Sequence, residues 1–189
     1  MRYKPCRIIA TLAAMLIATS HVAAASDIAW QALQAGGTVA ILRHARAPGT
    51  GDPSNFRLDD CATQRNLSEG GRAQAHSIGL RFKERRIPVE RVLSSRWCRS
   101  LETARLAFGD MVESFPPLDS FFSGRGQKER QTQAVRQIIG EWHSPGILVL
   151  VTHQVNITAL IGVFPAEGEI LVLRPKASEG FELVGRISP

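Results

Sequence analysis

The sequence predicts an α/β protein, a three-layer α/β/α sandwich with a mostly parallel central sheet. Short apolar runs rich in β-branched residues alternate along the chain with segments of helical periodicity. The strongest strand signal, residues 147–151, is apolar on both faces, which is typical of a central strand covered by helices. No repeat, low-complexity tract or long linker divides the chain. Alternation of this kind favours a parallel sheet with helices packed against it.

Composition and charge narrow the class of protein. The chain has 189 residues, of which 44% are hydrophobic and 21% are charged, and these values exclude a disordered chain, a collagen-like repeat and a polytopic membrane protein. A net charge of +6 raises the question of a nucleic-acid partner. No basic stripe with interleaved aromatic residues is visible, so we expect no nucleic-acid partner.

Residues 1–25 have the pattern of a secretory signal peptide. Three basic residues precede an apolar run over residues 8–19, and small residues follow at 23–25. The run is shorter than the roughly 20 residues of a membrane-spanning helix, so an uncleaved anchor is the less favoured alternative. We expect cleavage after Ala25, a single mature domain over residues 26–189, and a periplasmic or secreted protein with no stable membrane insertion.

Removal of the signal changes both the charge and the cysteine count. Three positive residues and no acidic residue are lost, so the net charge of the mature chain is +3. Cys6 is lost as well, and Cys61 and Cys98 remain. An oxidising compartment favours a disulfide between them, while two free buried thiols are the alternative.

The first half of the domain contains two predicted strands. Residues 38–42 predict a buried strand, and the Gly- and Pro-rich residues 45–66 predict a long loop. A helix is expected from near Ser68 until Pro88 ends it. Residues 89–94 predict the second strand. The next helix carries an apolar stripe formed by Trp97, Leu101, Ala104 and Phe108.

The second half begins with another predicted loop, over residues 109–126. A helix is expected over residues 127–143, and a further helix, over residues 154–163, follows the strand at 147–151. Two last strands are expected at residues 169–173 and 181–186. The predicted buried face of the helix over residues 127–143 is Ala134, Val135, Ile138 and Trp142.

Two histidines directly follow predicted strands. His44, preceded by Arg43, follows the first strand, and His153 follows the central strand. Since α/β sheets bind ligands at the carboxyl ends of their strands, we expect these residues to share a site. Simple strand capping is the alternative for either histidine alone.

Arg99 belongs to a segment that also follows a strand and opens a helix. Guanidinium groups match phosphate oxygens, imidazole is a competent nucleophile, and a second imidazole can neutralise charge in phosphoryl transfer. The set therefore suits a phosphate monoester attacked by histidine. The alternative for Arg99 is a solvated side chain paired with Glu102.

Four ordered segments of the chain resemble the histidine phosphatase superfamily, which includes the phosphoglycerate mutases and histidine acid phosphatases. The segments are Leu42-Arg43-His44-Ala45, Leu67-Ser68-Glu69-Gly70-Gly71-Arg72-Ala73-Gln74-Ala75, Ser94-Ser95 through Arg99 to Thr103-Ala104, and Val151-Thr152-His153. The resemblance implies a phosphoglycerate mutase-like fold and activity without metal or cofactor. It further implies that His44 is the nucleophile and that Arg43, Arg99 and His153 bind the phosphoryl oxygens.

The sequence departs from the family pattern at two places. Ala45 replaces the glycine that usually follows the nucleophile, and Gln154 stands where one branch of the family has a proton-donating aspartate. Arg46 is a candidate for an extra phosphate contact, with a surface arginine as the alternative. In the mutase-like branch the proton donor is an acidic residue of a central loop. Here the candidates are Asp119, then Glu113 and Glu129.

We therefore expect an exported phosphomonoesterase that works through phosphohistidine on a small phosphorylated substrate. A phosphoryl transferase or mutase, and a catalytically silent phosphate-binding domain, are the alternatives. The two long loops, residues 45–66 and 109–126, are expected to select the substrate.

Overall fold

The computed structural model describes residues 26–124, 127–176 and 180–189, and the predicted signal peptide lies outside these residues. Helix α1 covers residues 26–35, for which the sequence analysis predicted no element. Ala29 and Leu33, one helical turn apart, are fully buried on its inner face. The other helices are α2 (Glu69–Glu84), α3 (Cys98–Phe108), α4 (Lys128–Gly140) and α5 (Gln154–Ile161).

In the described part of the chain, six strands form a single sheet in the order β3-β2-β4-β1-β5-β6. Neighbouring pairs among β1, β2, β3 and β4 are parallel, and β5 runs antiparallel to both β1 and β6. The prediction of a mostly parallel sheet is confirmed. The strands are β1 (Val39–Arg43), β2 (Val89–Ser94), β3 (Val112–Ser114), β4 (Ile147–Thr152), β5 (Ile170–Lys176) and β6 (Gly180–Ile187).

Strand β4 lies in the middle of the sheet and is buried along its whole length. Its side chains alternate between two cores, because successive residues of a strand point to opposite faces. Val149 belongs to the core that includes Trp30 and Phe82, and Leu150 belongs to the core on the other face, with Ile139. The helices therefore cover both faces of the sheet, as the apolar run predicted.

Helix α2 begins close to the loop that follows β1. The Ser68 side chain caps the helix by accepting a hydrogen bond of 3.0 Å from the backbone N–H of Gly71. A Cβ atom at Gly71 would lie 2.1 Å from the Arg46 carbonyl oxygen. Only glycine allows this approach, which seats the helix against the residues that follow β1.

The structure corrects two predicted elements. Residues 112–114 form strand β3 inside the segment predicted as a loop, where they pair with β2. Only Val112 of this strand packs against the core, so three residues carry no visible periodicity. Helix α4 ends at Gly140 rather than near residue 143, and its buried residues are Val135 and Ile139. Ala134, Ile138 and Trp142 are only partly buried.

Within the described residues, no helix is long and apolar enough to cross a membrane. The same part of the chain contains no group of three or more histidine, cysteine or acidic side chains placed to hold a metal ion.

Candidate active site

His44 is held at the carboxyl end of β1 with its ring in a defined tautomer. Its backbone N–H donates a 2.9 Å hydrogen bond to the carbonyl of Thr152 at the end of the adjacent strand. The side chain is buried, and Nδ1 lies 2.8 Å from the carbonyl oxygen of Ala45. A carbonyl only accepts, so Nδ1 carries the proton and Nε2 keeps its lone pair. His44 therefore presents the ring nitrogen that a nucleophile needs.

Burial lowers the pKa of His44 well below its usual value, and the positive charge of Arg99 lowers it further. The hydrogen bond to Ala45 opposes these effects without cancelling them. The imidazole is therefore neutral near pH 7 and available for nucleophilic attack.

Arg99 connects His44 to a buried carboxylate. Its Nε donates to His44 Nε2 at 3.2 Å. Its two terminal nitrogens donate to the two oxygens of Asp52 at 2.7 and 3.3 Å. The Asp52 carboxylate also accepts hydrogen bonds from the Trp97 indole at 3.0 Å and from the backbone N–H of Arg65 at 3.1 Å. These contacts fix the guanidinium beside the nucleophile.

The ion pair of Asp52 with Arg99 governs the charge of this carboxylate. Burial raises the pKa of Asp52, but the hydrogen bonds and charge of Arg99 outweigh burial and lower the pKa overall. Asp52 is therefore ionised at neutral pH. Sequence analysis did not assign it to the site, because nothing in the spacing of the loop over residues 45–66 distinguishes it from other acidic residues.

Two further guanidinium groups lie at the site that His44 and Arg99 form. Arg43, at the end of β1, donates to the carbonyl of Pro165 at 3.1 Å and lies 3.4 Å from the Glu167 carboxylate. Arg65, which sequence analysis also missed, donates to the carbonyl oxygens of Gly51, at 2.9 Å, and Ala47. Burial lowers the pKa of both arginines, and both stay charged because a free guanidinium titrates far above neutral pH.

His153, the residue before α5, lies beside the nucleophile, and the two imidazole centroids are 5.4 Å apart. Ser95 donates its single hydroxyl proton to Asp119 at 3.2 Å, so His153 Nε2 is the donor in the 2.8 Å contact with Ser95 Oγ. Nδ1 is buried without a partner among the described residues. Burial and the charge of Arg99 lower the pKa of His153 well below its usual value.

These side chains line a cavity of about 180 Å³ at the carboxyl edge of the sheet. Three guanidinium and two imidazole groups face it, and none of its lining residues carries a carboxyl group. Arg43 Nε is also buried without a partner in the described part of the chain, as His153 Nδ1 is. The cavity is lined by Arg43, His44, Gly49, Thr50, Gly51, Arg65, Arg99, Ser120, Phe122, His153, Gln154, Val155 and Phe164.

The predicted proton donors lie outside this cavity. Asp119 is buried, and its two oxygens accept hydrogen bonds from the Arg96 side chain, at 2.7 Å, and backbone, at 2.8 Å, and from Ser95. It lines a neighbouring groove instead. Glu113 is paired with Arg91 on the exposed edge of the sheet. Glu129 is exposed in the first turn of α4. The structure therefore brings none of the three acids to the cavity wall.

The other predicted residues take different positions. Arg46 is exposed near the first turn of α2 and does not line the cavity, whereas Gln154 does. Ala45 is buried, its N–H donates to Thr103 Oγ1 at 3.0 Å, and it is not among the described residues with positive φ. Alanine therefore fits the backbone at this position without strain.

The predicted disulfide between Cys61 and Cys98 is confirmed, with Cα atoms 5.7 Å apart. Cys61 belongs to the loop over residues 45–66, and Cys98 is the first residue of α3. The Cys98 N–H also donates to Gln64 Oε1 at 2.9 Å. The covalent link therefore joins the loop that carries Asp52 to the helix that carries Arg99.

Comparison with known proteins finds similar structures but no match by sequence. No family model and no curated protein sequence matches the chain. Among solved structures, the protein histidine phosphatase SixA complexed with tungstate has a TM-score of 0.58 and 18% identity, over 80% of this chain and 97% of SixA. A phosphoserine phosphatase from Entamoeba histolytica has a TM-score of 0.59 and 14% identity, over 80% of this chain and 97% of its own.

A mycobacterial glucosyl-3-phosphoglycerate phosphatase has a TM-score of 0.57 and 18% identity, over 80% of this chain and 99% of its own. In each case nearly the whole of the solved protein is matched, so the likeness extends across the domain. The chain therefore has the phosphoglycerate mutase-like α/β/α fold of the histidine phosphatases.

Proposed function

We propose that this protein is an exported phosphomonoesterase of the histidine phosphatase family, with His44 as the residue that becomes phosphorylated. The observation that carries the proposal is the cavity itself. Three charged guanidinium groups and two imidazole rings converge on it, and none of the described residues that line it carries a carboxylate. Arg43 Nε is a buried donor without a partner in the described structure, which an anion would satisfy, and His153 Nδ1, also buried and unpartnered, becomes a second such donor once it is protonated.

In the first step, His44 Nε2 attacks the phosphorus atom and the bond to the leaving oxygen breaks. Before attack, the Nε2 lone pair accepts a hydrogen bond from Arg99 Nε; the phosphoryl oxygens take over this donor, which frees the lone pair and places the phosphoryl group against the same guanidinium. Arg43 and Arg65 supply further positive charge for the equatorial oxygens. The Ala45 carbonyl keeps Nδ1 protonated and stabilises the positive charge that the ring gains during attack.

In the second step, water attacks the phosphohistidine and releases phosphate. His153 is neutral without a ligand, since burial and the neighbouring charge of Arg99 disfavour its charged form. A phosphate dianion reverses the sign of the local field, so it favours protonation of Nδ1 and a charged hydrogen bond to a phosphoryl oxygen. Ser95 holds the other nitrogen and orients the ring.

Hydrolysis is favoured over transfer by the open mouth of the cavity. Phe122 and Phe164 at this mouth are 43% and 68% exposed. An open entrance of this kind would admit water to a phosphohistidine once the product alcohol has left, whereas a transferase must exclude water from it. Export is supported by the N-terminal sequence pattern and by the disulfide, which suits an oxidising compartment.

The proposal is tested by assaying the purified protein on a panel that contains both aryl and alkyl phosphates, in the presence of EDTA. We expect release of phosphate from at least one class, and at least a 1,000-fold loss in His44→Asn, since removal of a nucleophile costs on the order of 10³-fold or more. His143→Asn is the matched control, because His143 is exposed and outside the cavity. Absence of turnover across the panel, or equal activity in His44→Asn, contradicts the proposal.

A further inference from the structure

The mouth of the cavity is aromatic and exposed, in contrast to its cationic floor. Phe122 and Phe164 are two of the few large apolar side chains that the described structure leaves exposed, and both line the cavity. His44, at the floor, is only 1% exposed. Exposed aromatic groups at the rim of a polar site mark a surface for binding an apolar group.

Phe164 is held beside the phosphate-binding arginine of β1. The carbonyl of the next residue, Pro165, accepts a hydrogen bond from Arg43. The Phe164 carbonyl accepts a 3.4 Å hydrogen bond from Arg186. The backbone that carries the ring is therefore fixed to the site at one residue and to the sheet at another.

Phe122 approaches the cavity from a different loop, next to Asp52. Its backbone N–H donates to Ser120 Oγ at 3.3 Å, and Ser120 also lines the cavity. A Cβ atom at Gly51 would lie 3.4 Å from Cε1 of the Phe122 ring. The ring therefore packs against the residue that precedes Asp52, the partner of Arg99.

The lining also determines which leaving groups can depart. A general acid contributes roughly 10²- to 10⁴-fold by protonating the leaving oxygen, and none of the described residues that line this cavity carries a carboxyl group. The Glu167 carboxylate, just outside the lining, is paired with Arg43 at 3.4 Å and Arg65 at 4.0 Å. An alkyl oxygen leaves as a strong base, comparable to water with a pKa of about 15.7. A phenolic oxygen has a pKa of about 10 and needs much less assistance. An aryl leaving group can therefore depart without a general acid, and its ring can pack against the aromatic rim.

We propose that the substrate is an aryl phosphate monoester, the chemistry of phosphotyrosine, whose ring lies against Phe122 and Phe164 while its phosphate occupies the cationic floor. The proposal rests on the proposed phosphatase function and adds the substrate class. In the first step the P–O bond to the ring breaks, the P–N bond to His44 forms, and the phenolate takes a proton from water. In the second step the P–N bond breaks as water bonds to phosphorus, and the proton that this water loses neutralises the hydroxide left by the first step. The products are a phenol and phosphate.

Binding of the ring is measured without turnover by titrating the protein with phenylphosphonate and methylphosphonate, which differ only in the apolar group. We expect phenylphosphonate to bind at least 10-fold more tightly. Phe122→Leu and Phe164→Leu keep an apolar side chain without the ring, and each is expected to weaken phenylphosphonate about 2- to 10-fold while leaving methylphosphonate unchanged. Leu80→Ala, at an exposed apolar residue of α2, is the matched control.

Turnover is compared on phosphotyrosine against phosphoserine, and on phenyl phosphate against a phosphotyrosine peptide. We expect kcat/KM to be at least 100-fold higher for phosphotyrosine than for phosphoserine, and the second comparison separates a protein substrate from a small one. Equal kcat/KM for phosphotyrosine and phosphoserine, preference for N-phosphohistidine over phenyl phosphate, or unchanged phenylphosphonate binding in both Phe variants overturns the proposal. Light scattering also tests the proposal. If the wild-type protein is a dimer and Phe164→Leu is a monomer, the aromatic rim is an interface between subunits and the proposal is overturned.

Failure of the proposed function gives a different result. In that case no phosphate ester, aryl or alkyl, is hydrolysed in a His44-dependent reaction. Hydrolysis of alkyl phosphates that depends on His44, without preference for aryl esters, leaves the phosphatase function standing and removes only the aryl specificity.

Discussion

Both carboxylate oxygens of Asp52 accept hydrogen bonds from Arg99, at 2.7 and 3.3 Å, and both side chains are almost completely buried. Arg99 in turn contacts the nitrogen of His44 that we assign as the nucleophile. Asp52 therefore acts as a positioning residue, which sets the location of the guanidinium rather than contacting the substrate.

Asp52→Asn removes the charge of this carboxylate and keeps its shape. We expect the free energy of unfolding to fall by about 3 kcal/mol, since loss of one partner leaves a buried charge unpaired. We expect kcat/KM to fall about 100-fold, because the guanidinium is no longer fixed beside the nucleophile. Urea unfolding and steady-state kinetics measure the two effects.

The matched control for Asp52→Asn is Glu182→Gln, at an exposed ion pair with Arg174, which is expected to change stability by less than about 1 kcal/mol. An Asp52→Asn protein with wild-type stability and wild-type kcat/KM contradicts the positioning role.

The Cys61–Cys98 disulfide is expected to stabilise the protein by about 4 kcal/mol, the value that chain entropy gives for a sequence separation of 37 residues. Urea unfolding of Cys61→Ser/Cys98→Ser measures this difference. Alkylation of the denatured, non-reduced protein followed by peptide mapping is expected to leave both cysteines unlabelled. Label on either cysteine before reduction contradicts the link.

Stability is expected to fall as the pH drops below about 6.5, the usual pKa of histidine in an unfolded chain. The pKa values of His44 and His153 are lowered in the folded protein, so below pH 6.5 the unfolded chain binds protons that the folded chain does not. The stabilisation is fully present above pH 6.5 and is lost as the pH falls toward the lowered values. Melting temperatures between pH 5 and 7.5 measure this slope.

A His44→Asn/His153→Asn protein is expected to show a much flatter pH dependence of stability over the same range, and His143→Asn serves as its control. Asp52 and Glu169 do not add to the slope in this range. Their pKa values are lowered in the folded protein, so the stabilisation they give is constant near neutral pH and is lost only at more acidic pH. A double variant with the wild-type slope contradicts the assignment of the two buried imidazoles.

Asp119 is expected to act through Ser95 on His153 rather than as the proton donor. Asp119→Asn and Ser95→Ala should each lower kcat/KM about 10-fold, the loss expected from one hydrogen bond in the chain that orients the ring. The loss should be equal for p-nitrophenyl phosphate and phenyl phosphate. A general acid gives a larger loss for phenyl phosphate, whose leaving oxygen is the stronger base, and this result contradicts a positioning role.

The sequence predicts the histidines and Arg99 of the site because the sheet determines their positions. Strands β2, β4 and β1 are adjacent, so the residues that follow them, including Arg99, His153 and His44, meet at one edge. Apolar runs identify such strands, and the position just after a run is where ligands bind in α/β folds.

Asp52 and Arg65 could not be predicted in this way. Both belong to the loop over residues 45–66, whose course is set by the disulfide and by hydrogen bonds such as that from the Cys98 N–H to Gln64 Oε1. Loops of this kind have no periodicity, so the sequence does not show which of their charged side chains turn inward. For the same reason the sequence placed Asp119 in a central loop but did not show that Arg96 binds its carboxylate.

A phosphohistidine on His44 is detected by trapping the enzyme with phenyl phosphate radiolabelled in its phosphate, quenching in detergent at neutral to alkaline pH, and mapping the label by mass spectrometry. We predict an acid-labile, base-stable phosphate on the peptide that contains His44, and no label on His44→Asn. Label on another residue, or rapid turnover of wild-type protein with no labelled intermediate at any quench time, would contradict a covalent intermediate on His44.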